Sequence, residues 1–200
     1  MTQIPQLLLT GFGSIDDPEG HAIYQQTLEF IDSEEFSDIE RDIIACRLPP
    51  SDRLMNALLQ CTRICLQLSM REGFEIKVTE ALAKGVPVIA YRTGGLSNQI
   101  RDEETGFLVE AGDTEKVAHR LKSLLMDHDL YASMSKKAKK CLNPQLSTPF
   151  QATNWLWLWN HVYQEKRAEE PDMCVMQDGV TVAEKVAERD VAQMWYHNEV

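Results

Sequence analysis

Apolar residues come in short runs separated by longer amphipathic stretches through about residue 125. Gln6-Leu-Leu-Leu-Thr10 is the first run and leads into Gly11-Phe-Gly13, which reads as a buried strand opening into a loop. The polar loop from Ser14 to Gly20 contains Pro18, and His21 to Glu35 then reads as a helix with Ile23, Leu28 and Ile31 apolar. Asp42 to Cys46 is a second strand. Pro49-Pro50 breaks the chain, and Ser51 is placed to cap a helix that runs to Gln60 with Leu54, Leu58 and Leu59 inward. Arg63 to Gln67 is a third strand, Ser69 to Phe74 a turn, and Phe74 to Lys84 a helix stopped by Gly85. Val86 to Ala90 and Phe107 to Val109 are the fourth and fifth strands. Between them lie the Thr93-Gly-Gly95 loop, a short helical piece and the polar turn Asp102 to Gly106. Asp113 or Thr114 caps a helix to Met126, and another helix spans Asp129 to Lys140.

Strands alternating with helices, each strand short and almost wholly apolar, predict a mostly parallel sheet covered on both faces. The fold class is therefore α/β, a doubly wound Rossmann-like domain. Ligands in such sheets bind beyond the carboxyl ends of the strands. Those ends are Gly11–Gly13, Arg47–Pro50, Ser69–Phe74 and Arg92–Gly95. After Asn143-Pro144 the pattern changes. Phe150 to Tyr163 packs in Trp155, Trp157 and Trp159 with Leu156 and Leu158, a strongly apolar helix that needs a partner surface. Glu165 to Pro171 reads as a charged break, and the remainder to Val200 is a charged tail without clear pattern. The expected organisation is a domain over residues 1–145, a Trp-rich helix over 146–164 and a tail over 165–200.

Composition narrows the function classes. Of 200 residues, 44% are hydrophobic and 26% charged, as in a globular protein. No apolar run approaches the roughly 20 residues of a membrane helix. The start, Met1-Thr-Gln-Ile-Pro-Gln, lacks a basic n-region, so a cytoplasmic location is expected. With 20 Lys and Arg against 31 Asp and Glu, the net charge of −11 disfavours nucleic acid as a partner. The cluster Lys136, Lys137, Lys139 and Lys140 complements a helix end. The five cysteines, Cys46, Cys61, Cys65, Cys141 and Cys174, are irregularly spaced. Cys61 and Cys65 have no second pair or nearby His to complete a zinc site, so free thiols and no metal are expected. His21, His119, His128, His161 and His197 all read as ordinary surface or satisfied histidines.

The stretch Leu68-Ser-Met-Arg-Glu-Gly-Phe-Glu-Ile-Lys-Val-Thr-Glu80 is the most informative. Glu72 lies in the turn and Glu80 in the following helix. Gly73 permits close backbone approach to a ligand, and the N–H groups of Gly73 to Ile76 at a helix N-terminus can bind an anion or hydroxyls. Spacing alone leaves a second reading open: Glu72 as a capping carboxylate and Lys77–Glu80–Lys84 as a solvated face.

Context changes the weighting. Glu72 and Glu80, then Ala81-Leu-Ala-Lys-Gly-Val-Pro-Val-Ile-Ala90, Thr93-Gly-Gly95 and Glu104-Thr-Gly-Phe-Leu-Val109, in that order, resemble the C-terminal nucleotide-sugar domain of retaining GT-B glycosyltransferases of family 4. Gly13-Ser-Ile-Asp-Asp-Pro-Glu-Gly20, Arg47-Leu-Pro-Pro-Ser51 and Leu66 to Glu80 resemble the trehalose phosphorylase and trehalose synthase group. The likeness covers about residues 7–163. It implies that Glu72 contacts a donor glucose beside Gly73, Phe74, Glu75 and Ile76. It implies that Arg71 faces a phosphate and that Glu80 holds the ribose of a nucleotide donor. Gly94 and Gly95 would line the phosphate side, and Gly11 and Gly13 would form the first loop. Position 16 is Asp, so these do not complete a Gly-x-Gly-x-x-Gly fingerprint; Asp16 and Asp17 read as turn formers before Pro18.

The implied reaction is glucosyl transfer with retention: trehalose plus phosphate to glucose 1-phosphate plus glucose, or trehalose from nucleoside-diphosphate glucose and glucose. The resemblance implies front-face reaction without a protein nucleophile, no cofactor and no metal. It also implies an acceptor domain, and a first strand with an Arg/Lys pair, that this sequence does not contain. A homodimer or a separate acceptor domain would then complete the site. The alternative is a donor-domain fragment acting only as a binding or association module.

Overall fold

A computed structural model describes residues 4–11 and 19–169. Gly13, Asp16, Asp17, Cys174 and His197 lie outside the described residues. The chain divides into two compact units, Met1–Lys140 and Cys141–Val200.

Among the described residues, the first unit holds five strands, β1 (Leu7–Gly11), β2 (Ile43–Arg47), β3 (Cys65–Gln67), β4 (Val88–Tyr91) and β5 (Gly106–Val109). Its helices are α1 (Gly20–Ile31), α2 (Asp52–Cys61), α3 (Ile76–Ala83), α4 (Leu96–Gln99), α5 (Thr114–Met126) and α6 (His128–Lys140). Every strand pairing is parallel. The pairing forms two sets, β1–β2 and β3–β4–β5, where the sequence suggests one sheet. β3 is three residues long and pairs with β4, Cys65 opposite Val88 and Gln67 opposite Ala90, and among the described residues it pairs with neither β1 nor β2.

Burial separates the two sets. Every residue of β4 and β5 is buried. Ile89, Tyr91, Phe107 and Val109 pack with Val117, Leu124 and Met134 from α5 and α6, and Leu66, Leu68, Leu121 and Leu130 close the edges. Successive side chains alternate across a strand, so Val88, Ala90 and Leu108 turn to the other face; α3 packs against β4. In contrast, Leu7, Leu8 and Leu9 of β1 are each 39% exposed. The expected burial on both faces therefore holds for β4 and β5 and fails for β1. The physical reason is that α1 packs against β2 and no second helix layer makes comparable contact with this pair among the described residues.

Local chemistry sets the helix bounds. Ser51 Oγ accepts from the Leu54 N–H and caps α2, as its position suggests. Asp113, and not Thr114, caps α5 by accepting from the Lys116 N–H at 3.0 Å. α1 ends at Ile31, short of Glu35, because Ser33 is extended (ψ 159°) and a 3-10 turn follows at Glu34–Phe36. α3 begins at Ile76, two residues after Phe74, because Glu75 adopts φ +53°. Gly85, at φ +77°, ends the α3 segment and donates to the Leu82 carbonyl.

The second unit contains α7 (Thr148–Glu169), preceded by a 3-10 turn at Pro144–Leu146. α7 continues through Glu165, where the charge pattern suggests a break; the Glu165 carboxylate meets His161 one turn earlier at 3.3 Å. Trp155, Trp157 and Trp159 are 66%, 65% and 76% exposed.

Leu124 has no exposed surface. Leu124→Ala is expected to lower unfolding free energy by about 2–5 kcal/mol in a denaturant titration. Burial, reinforced by Glu75 and opposed by Lys77, pushes the Cys65 thiol up from 9.0 to about 11. Stability linked to Cys65 is thus present below pH 9.0 and declines as pH rises toward 11. A maleimide at pH 7.5 is expected to modify exposed Cys61 and spare Cys65, as read by peptide mass mapping.

Candidate functional site

β3 delivers the chain to a turn at the carboxyl end of its sheet, and Glu72 sits in that turn, half-buried. Glu72 Oε1 accepts from the Gly73 N–H at 2.9 Å, and Oε2 accepts from Gln67 Nε2 at 3.1 Å. Gln67 Nε2 also donates to Ser69 Oγ at 3.0 Å. The last residue of β3 therefore fixes the carboxylate that follows it. The Gly73 N–H is occupied by this contact, which removes it from the set of free donors expected from sequence. The N–H groups of Phe74, Glu75 and Ile76 donate to none of the described residues.

The turn after β4 forms the facing wall. Gly95 N–H donates to the Gly73 carbonyl at 2.7 Å, and Thr93 Oγ1 donates to the Ser69 carbonyl at 3.1 Å. A Cβ on Gly94 (φ +49°) would collide with the Glu72 carbonyl, and a Cβ on Gly95 would fall 2.5 Å from the Gly73 carbonyl. Glycine at both positions lets two backbones touch. Beneath the contact, Gln99 Nε2 donates to the Phe74 and Gly95 carbonyls, while its Oε1 accepts from Thr79 Oγ1 at 2.6 Å.

The structure thus brings Glu72, Gly73, Phe74, Gly94 and Gly95 together. Glu75 faces inward as the left-handed cap of α3, accepting from the Lys77 N–H at 3.3 Å and pairing with Lys77 Nζ at 3.5 Å. Ile76 and Phe74 are exposed apolar side chains beside the turn, with Met70. Arg71 is exposed and has no ion pair among the described residues. Glu80 is likewise exposed and unpaired, so the suggested Lys77–Glu80–Lys84 face is not bridged; Lys77 turns to Glu75 instead. Gly11 ends β1 opposite Arg47, and its carbonyl accepts from the Leu48 N–H at 3.0 Å; no hydrogen bond joins it to the Glu72 turn. Arg92, next to the glycine turn, is held away by Asp102 at 2.7 Å and Glu110 at 3.3 Å.

Gln67, Ser69, Thr79 and Gln99 were not singled out by sequence reasoning. The available signals were a glutamine closing an apolar strand and another four residues after the second glycine. An open surface cavity at the α5–α6 junction is lined by His119, Lys122, Asp127 and His128, all exposed, and does not coincide with the Glu72 turn. Among the described residues, no three His, Cys, Asp or Glu converge as a metal site, and no helix is long and apolar enough to cross a membrane.

Comparison with known proteins places these features in a family. Residues 45–141 match the family described as glycosyl transferases group 1. A trehalose phosphorylase of Pleurotus pulmonarius is 46% identical over 154 residues, 77% of this chain and 21% of that protein. A trehalose synthase of Pyrococcus horikoshii is 38% identical over 135 residues, 68% of this chain and 31% of that protein. The chain therefore spans about a fifth to a third of the length of these relatives. Among solved structures, sucrose-phosphate synthase of Thermosynechococcus elongatus superposes with a TM-score of 0.70 at 22% identity, covering 80% of this chain and 39% of that one. The fold is that of GT-B glycosyltransferases, and residues 45–141 form a domain of the glycosyl transferases group 1 family.

Proposed function

We propose that this chain is the donor side of a retaining hexosyltransferase of trehalose metabolism. The reaction in this reading is trehalose plus phosphate to glucose 1-phosphate plus glucose, with glucose 1-phosphate the donor in the reverse direction. The glycosidic C–O bond at the anomeric carbon breaks and a C–O bond to hydrogen phosphate forms, with the departing glucose taking the proton that the phosphate gives up. The observation that carries the reading is the Glu72 carboxylate. It is fixed by Gln67 and the Gly73 N–H at the end of a parallel strand, and Gly73 leaves open space beside it. The two carboxylate oxygens retain lone pairs for sugar hydroxyls. Phe74 and Ile76 offer apolar surface to the sugar ring, and Arg71, unpaired and exposed, is available to phosphate. Catalysis then rests on positioning and on stabilising the charged phosphate. Greater similarity to the Pleurotus enzyme than to the Pyrococcus enzyme supports phosphate over nucleotide chemistry.

A second reading is favoured by one residue. Glu80 is exposed and unpaired one helical stretch beyond Glu72, so it is free to take the ribose hydroxyls of a nucleoside-diphosphate glucose. In either reading the acceptor half comes from another segment or another copy, and the reaction is cytoplasmic.

Calorimetric titration separates the readings. The chain is expected to bind glucose 1-phosphate, with UDP-glucose weaker, and Glu80→Ala is expected to leave glucose 1-phosphate affinity unchanged. Glu72→Gln is expected to weaken glucose 1-phosphate binding by roughly 10–150-fold, the equivalent of about 1.5–3 kcal/mol for charge-assisted hydrogen bonds. Binding of neither donor by the wild-type chain would sink the reading and favour an association module. Gly94→Ala is expected to lower both affinity and Tm, because φ +49° and the Glu72 carbonyl leave no place for a methyl group.

A further inference from the structure

A buried polar side chain ties the two turns together from below. Gln99 and Thr79 are each 6% exposed. The Gln99 amide is tied to three segments. Nε2 donates to the Phe74 carbonyl, in the turn that carries Glu72, and to the Gly95 carbonyl at 3.4 Å, in the glycine turn. Oε1 accepts from Thr79 Oγ1 at 2.6 Å, on α3. Thr79 is anchored in turn by burial beside Val78, Ala81 and Leu82.

We propose that Gln99 is a positioning residue: it clamps the Phe74 and Gly95 carbonyls together and so sets the backbone groups and the Glu72 carboxylate that meet the donor. The inference rests on the reading of this turn as a donor site. Its physical basis is that the two turns share one direct backbone hydrogen bond, Gly95 N–H to the Gly73 carbonyl. One such contact, near solvent, opens readily. Thr93 Oγ1 adds a tie to the Ser69 carbonyl, and a further tie made by a buried amide holds the register more firmly than any one bond alone. Thr79 fixes which way the amide points. Its hydroxyl donates to Oε1, which leaves the NH2 group directed at the two carbonyls. Gln99 is itself buried, so its effect on a donor passes through Phe74, Gly95 and Glu72.

The test combines hydrogen exchange with donor titration on the full chain. In Gln99→Met, which keeps length and loses the amide, exchange of the Gly95 amide is expected to rise about tenfold or more. Amides of β4 and β5 are expected to exchange as in wild type. Affinity for glucose 1-phosphate is expected to fall at least about tenfold, the loss of roughly one hydrogen-bonded contact to a charged group, with the far-UV circular dichroism unchanged. Thr79→Val is expected to show a smaller loss, and the double variant no more than Gln99→Met alone, because both act through one amide. Where Gln99→Met does not fold, Thr79→Val carries the same two readouts. Unchanged Gly95 exchange would overturn the inference. So would faster exchange with unaltered affinity, or losses that simply add. If the wild-type chain binds no donor, the functional reading falls and the clamp is judged by exchange alone.

Discussion

Two backbones can lie in direct contact only where no side chain stands between them. At the carboxyl ends of β3 and β4 that condition is met by Gly94 and Gly95, whose missing Cβ atoms would otherwise occupy the carbonyls of Glu72 and Gly73. The Gly95 N–H then reaches the Gly73 carbonyl, and Thr93 reaches Ser69. The remainder of the site follows from this contact. Glu72 is left at the rim, held by Gln67 from below and by its neighbour's N–H from the side. The contact can be held in one register because β4 and β5 are buried at every position, so the strand that presents the glycine turn has little freedom to shift.

Rigidity is distributed unevenly along the first unit. The β3–β4–β5 set, with α3, α5 and α6, buries the large aliphatic and aromatic side chains. The β1–β2 pair leaves its leucines substantially exposed. The group 1 match begins at residue 45, within β2, and runs through α6. The well-packed set, the Glu72 turn and the family match therefore coincide. In the second unit, α7 carries three exposed tryptophans on a helix whose apolar residues are spread around its circumference.

Much of this was legible in the sequence. Short apolar runs gave the strands their positions and parallel pairing, and Ser51 announced its cap by standing between a Pro-Pro break and an amphipathic segment. Glu72, Gly73, Gly94 and Gly95 were found because their spacing is shared with a family. Other features were not legible, for physical reasons. The left-handed Glu75 that delays α3 depends on tertiary support, since glutamate has no local preference for φ +53°. Gln99 looked like an ordinary helix residue, because its three partners lie as far as 25 positions away. The exposure of β1 depends on which elements cover it, and a strand's own residues do not record that.

The central claim is that the turn at Glu72, backed by the glycine pair, is where a sugar phosphate binds. The most direct measurement is backbone-amide chemical-shift mapping of the isotopically labelled chain as glucose 1-phosphate is added. The account predicts saturable shifts centred on Gly73, Phe74, Gly94 and Gly95, with β1 and the α5–α6 junction unmoved. Saturable shifts confined to the surface around His119 and His128, with the Glu72 turn silent, would contradict it.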